Sequence, residues 1–99
     1  MRIISRRAPR EFWQEHPEAE ASLSAWYLMV KKAAWKNLAE VKRTFPSADL
    51  VGRCTVFNVG GNNYRVIVCV RYEKQIVHIR DVLAHSQYSR GRWKDACYD

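Results

Sequence analysis

From Val51 to Tyr88 the chain alternates apolar and polar residues with a period of two, and two polar breaks divide it into three short strands. The first break, Asn58-Val59-Gly60-Gly61-Asn62-Asn63, holds residues that tolerate positive φ, as a hairpin connection requires. The second, Tyr72-Glu73-Lys74-Gln75, precedes Ile76-Val77-His78-Ile79 and predicts another hairpin. Side chains two apart share a face, so Tyr64, Val66, Val68 and Val70 oppose Arg65, Ile67, Cys69 and Arg71. In the last strand Val77, Ile79 and Leu83 oppose Ile76, His78, Arg80 and Val82. His85 and Tyr88 follow immediately.

The N-terminal half reads as helix. Phe12 and Trp13 predict a short helical turn that ends before Pro17, and a proline at a first helical position starts a new helix at Glu18. Glu18 and Glu20 suit the positive end of its dipole, and Lys31 and Lys32 the negative end. Leu23, Trp26, Tyr27, Val30 and Ala34 recur at helical spacing as one apolar stripe, which is core packing. Asn37-Leu38-Ala39-Glu40 has the form of a capping box and starts a further helix, with Leu38, Val41 and Phe45 buried and Pro46 as its stop. Arg2-Ile3-Ile4-Ser5 predicts a short opening strand. The expected architecture is α+β: helices packed on one face of a small sheet, in a single domain over residues 1–99, the other face carrying arginines toward solvent.

Charge gives that open face a direction. A net charge of +7 on 99 residues suggests a polyanionic partner such as RNA, DNA, an acidic protein or a membrane surface. Arg2, Arg6, Arg7 and Arg10 form a basic arm that either neutralises phosphates or keeps an edge strand soluble. Arg71, Lys74, Arg90 and Arg92, with Arg6 and Arg7, are the candidate contacts to a nucleic-acid backbone. Cys54, Cys69 and Cys97 show no zinc-like spacing with His16, His78 or His85, and their odd number predicts free thiols. No apolar run approaches the ~20 residues of a membrane span. The N-terminal arginines precede no apolar segment of a secretory signal, so a cytoplasmic location without membrane contact is expected.

No phosphate-loop, GxSxG, HExxH or paired-carboxylate motif is present. The inventory near the hairpins is His85, Tyr88, Arg65, Arg80 and Lys74, which suits cleavage of an RNA backbone by its own 2′-hydroxyl. That reaction needs a proton acceptor, a proton donor for the leaving 5′ oxygen, and cations for the phosphorane charge. Histidine serves at either end and arginine grips phosphate through its fork, without metal or cofactor. The same residues also fit a non-catalytic RNA-binding module with Tyr64, Tyr72 or Tyr88 as stacking platforms, or a docking face for an acidic protein.

Phe45-Pro46-Ser47-Ala48-Asp49, Val56-Phe57-Asn58-Val59-Gly60-Gly61-Asn62-Asn63-Tyr64-Arg65-Val66, Ile79-Arg80 and Ala84-His85-Ser86-Gln87-Tyr88 together resemble the HigB-type toxins of the RelE-like group. The resemblance covers roughly residues 40 to 90. It implies a twisted, mainly antiparallel sheet with helices on one side, and an mRNA interferase acting on the ribosome. It further implies a helix-turn-helix antitoxin of the HigA type that neutralises the toxin and carries it to operator DNA. Position by position, Arg65 and Arg80 match the family's strand arginines, and His85 and Tyr88 its HxxY motif. Where that family often has Thr before the His and Asp after the Tyr, this chain has Ala84 and Ser89.

Overall fold

A computed structural model describes residues 1–5, 9–61 and 63–98. Five strands among them form one sheet: β1 (Arg2–Ser5), β2 (Asp49–Val51), β3 (Cys54–Val59), β4 (Tyr64–Arg71) and β5 (Ile76–Ala84). Their spatial order is β1-β5-β4-β3-β2, with β1 parallel to β5 and every other pair antiparallel. The helices are α1 (Pro9–Glu15), α2 (Glu20–Lys32), α3 (Leu38–Thr44) and, after β5, α4 (His85–Ser89). This is the α+β arrangement expected.

The helical face holds the main core. Leu23, Trp26 and Val30 of α2 and Val41 of α3 are buried against Phe57, Val66, Val68 and Val77 of the sheet. Phe57 sits at its centre, with the rings of Trp26, Phe45 and Trp35 at 5.4, 5.1 and 6.2 Å. Pairs of this kind each add about 0.5–1.5 kcal/mol beyond the area they bury. The Asn37 side chain caps α3 by accepting from the Glu40 N–H at 3.0 Å. Glu40 reaches back one residue further than a capping box requires, to the Lys36 N–H at 2.9 Å.

Several expectations need correction. A 3-10 turn over Pro17–Ala19 precedes α2, which begins at Glu20 and stops at Lys32, so Ala34 is exposed and outside the stripe. The strand expected to run unbroken from Val51 folds back at Gly52-Arg53 into β2 and β3. Gly52 has φ +58°, and a side chain there would run into the backbone of Cys97. The β4–β5 turn places Gln75 in the left-handed region, φ 57°, where its side-chain amide donates to Trp35 O and Tyr72 O.

Two corrections reshape the open face. Val68 pairs with Ile79 and Ile67 with Asp81, which leaves Arg80 as the extra residue of a bulge. Beyond it the alternation reverses, so Val82 and Ala84 join the helical core while Leu83 turns to the other side. The open face is also not wholly bare. The 3-10 segment Arg92–Cys97 folds onto it and closes a second, smaller core of Cys54, Val56, Ile67, Trp93 and Cys97. Cys54 and Cys97, expected as free thiols, are joined by a disulfide; Cys69 alone is free. The two cysteines lie 43 residues apart in sequence, and only the return of the C-terminal segment brings them together.

Candidate active site

Arg65 is the centre of the site. It projects from β4 opposite Leu83 and is only 7 % exposed. Its Nη1–H donates to Tyr64 O at 3.0 Å, and its guanidinium carbon lies 4.9 Å from the centre of the Tyr88 ring. Among the described residues no carboxylate pairs with it. An unneutralised guanidinium held this far from water is costly, and an anionic ligand would relieve that cost.

Tyr88 is fixed by the segment that follows it. Its ring stacks on Trp93 with centroids 4.9 Å apart and planes 16° from parallel. The Trp93 indole N–H donates to Tyr88 O at 3.0 Å, so both ring and backbone are held. Lys94 lies 5.8 Å from the centre of the indole. Sequence reasoning missed Trp93; the available signal was an indole five residues after Tyr88, flanked by Arg92 and Lys94.

His85 opens α4 at the end of β5. Its backbone N–H donates to Asn63 O at 2.9 Å, which ties the β3–β4 turn to the start of the helix. Gln87 steadies the same corner by accepting from the Ala84 N–H at 3.0 Å. The imidazole is exposed and has no hydrogen-bond partner among the described residues. His85 and Tyr88 are three apart on one helical turn, a spacing that puts both on one side. The fold therefore gathers Arg65, Tyr88 and His85 at the C-terminal end of β5.

The other expected residues lie elsewhere. Arg80, exposed in the bulge, lines a cavity of about 310 Å³ with Ile4, Cys69, Arg71 and His78. Lys74 is exposed in the 3-10 turn Tyr72–Lys74, and Arg90 and Arg92 flank Gly91 after α4. Arg6 and Arg7 lie outside the described residues. Of the three tyrosines considered as stacking platforms, Tyr64 and Tyr72 pack into the helical core. The Tyr64 hydroxyl donates to Glu18 Oε1 at 2.6 Å. That bond, with burial and the Glu18 charge, pushes the Tyr64 phenol up to about 12; the same bond, with a backbone hydrogen bond and against burial, holds the Glu18 carboxyl below its usual range. Burial raises the Tyr72 phenol as well.

A five-stranded mixed sheet with helices on one face and a basic, histidine-bearing opposite face defines the class as RelE-like. Residues 19–91 match the family described as HigB_toxin, RelE-like toxic component of a toxin-antitoxin system, and the chain belongs to that family. It is 33% identical over 91 residues to the mRNA interferase toxin HigB of Escherichia coli strain K12, covering 89% of this chain and 88% of that one. The mRNA interferase HigB of Shigella flexneri matches to the same extent. The mRNA interferase HigB of Escherichia coli O6:H1 is 26% identical over 93 residues, covering 91% of this chain and 90% of its own.

Proposed function

We propose that this chain is an endoribonuclease that cleaves mRNA, the toxic half of a toxin–antitoxin pair, folded as one domain and acting in the cytoplasm on the translating ribosome. The carrying observation is Arg65: a guanidinium nine-tenths buried, without a carboxylate partner among the described residues, beside the Tyr88 ring, with the exposed His85 three residues before that tyrosine. In this reading a 2′-oxygen attacks the adjacent phosphorus and its proton passes to a base. The P–O5′ bond breaks, a proton reaches the leaving oxygen, and the products are a 2′,3′-cyclic phosphate and a 5′-hydroxyl. His85 handles one of the two protons. Arg65 faces the charge that builds on the non-bridging oxygens, where its fork is worth most in the transition state. Tyr88 positions the phosphate or a base, and Arg80 adds a cation on the same sheet face. The chemistry asks nothing of a metal ion.

A helix-turn-helix antitoxin of the HigA type neutralises the protein and, as a complex, contacts operator DNA. The family's description as the toxic component of a toxin-antitoxin system supports an antitoxin partner, and the relatives' names together with the charge of +7 support RNA as the target. Mapping RNA 5′ ends after a brief induction tests it. Growth arrest with new mRNA ends at defined codons, suppressed by co-expression of a helix-turn-helix protein from the same operon, is expected. Purified protein should keep its cleavage rate in EDTA. RNA that is bound but remains intact would reduce the protein to a binding module.

A further inference from the structure

The cavity at the opposite end of β5 takes no part in the arrangement around Arg65. Its floor is the β4–β5 pair where Cys69 stands opposite His78, and its wall is β1, where Ile4 stands beside His78 in register. Arg71 and Arg80 supply two guanidiniums at its rim. Among the described residues no carboxylate lines it, and none pairs with Arg71, His78 or Arg80. Asp81, next along the bulge, directs Oδ1 to the Val82 N–H. The volume of about 310 Å³ lies at the small end of the range for small-molecule sites.

The cavity opens on the same sheet face as Arg65, because Arg65, Cys69 and Arg71 alternate along β4 and His78 and Arg80 alternate along β5. Cys69 is four strand residues from Arg65, about 13 Å at the usual rise. A single strand of RNA crossing Arg65 therefore has further nucleotides within reach of the cavity.

We propose that this cavity is a second nucleotide subsite of single-stranded RNA. Arg71 and Arg80 hold a phosphate several nucleotides from the cleaved bond, and the adjoining base lies against the His78 imidazole and the Ile4 side chain. Two guanidiniums around an imidazole with an apolar wall match a phosphate joined to a flat heterocycle. The inference rests on the RNA-cleaving reading for its ligand, and binding tests it apart from cleavage.

The probe is 2′-O-methyl RNA, which lacks the nucleophile, in lengths of about three and eight nucleotides. The wild-type protein should bind the longer one more tightly. His78→Ala and Arg71→Gln should each remove about tenfold of that gain, the scale of one stacked base or a lost phosphate contact. With Cys54 and Cys97 joined, Cys69 is the single free thiol and reports on the cavity directly. The longer RNA, and not the shorter, should slow its alkylation by iodoacetamide. Cleavage of mRNA by the wild type, with the length gain and Cys69 protection unchanged in both variants, would overturn the subsite and leave the nuclease standing. Protection of Cys69 by adenosine monophosphate, with no length dependence among the oligonucleotides, would reassign the cavity to a free nucleotide and overturn the proposal. Failure of the wild type to cut mRNA, with length-dependent binding intact, would remove the nuclease reading alone.

Discussion

The disulfide between Cys54 and Cys97 offers the largest single perturbation of the site from outside it. Reduction frees the Arg92–Cys97 segment from β3, and that segment holds Trp93 against Tyr88. The closed loop spans 43 residues. Chain entropy for a loop of that length gives about 4 kcal/mol at 25 °C, and measured disulfides deliver about 2–4 kcal/mol. In a domain of this size each kcal/mol moves the midpoint by roughly 4–8 °C, so reduction should lower Tm by at least about 10 °C. Residual contacts soften the fall: Arg53 N–H still donates to Cys97 O, and Trp93 stays packed on Val56 and Ile67. The assay is thermal unfolding by circular dichroism with and without excess dithiothreitol, on a Cys69→Ala background to prevent exchange. A paired cleavage assay should show the reduced form slower, because Tyr88 loses its backing. Oxidised and reduced proteins that melt within about 2 °C of each other would refute the claim that this link holds the C-terminal segment in place.

Arg65→Ala should lower kcat by about 10²–10³, the usual loss of one preorganised charge donor, and Arg65→Lys should recover only part of it. Arg80→Ala should act chiefly on KM, so equal effects of the two arginines on both constants would contradict their separation in the fold. His85→Gln keeps size but cannot titrate; it should abolish toxicity while the protein still melts cooperatively and binds its antitoxin. Tyr88→Phe should cost less than His85→Gln if the ring alone matters. For the Tyr64–Glu18 bond the sign follows from the shifts. The raised phenol contributes stability that is complete below pH 10 and lost as pH rises through about 12. The lowered carboxyl contributes stability present above 4.5 and lost as pH falls through its folded value. Urea midpoints against pH should therefore show wild type and Tyr64→Phe converging at both extremes.

Local chemistry made much of the chain legible. The period-two alternation of β4, the glycines of the β3–β4 turn, Asn37 ahead of α3 and the apolar stripe of α2 each follow from short-range sterics and patterning. Those signals work within a few residues, so they reached the element order and the buried face. They also brought His85 and Tyr88 to the end of a strand, and the VFNVGGN stretch, followed by Arg65, carried the family resemblance. The bulge at Arg80 was beyond them, because an extra residue is defined only against a partner strand. Without it Val82 and Leu83 fall on the wrong faces. The disulfide was hidden for a similar reason: cysteine count cannot say that residue 97 returns to residue 54. Trp93 was unremarkable in sequence, and its role exists only because the C-terminal segment folds back across the sheet. What tertiary structure decided, in each case, was a contact between residues far apart in the chain, whose energy depends on register and chain return rather than on neighbours.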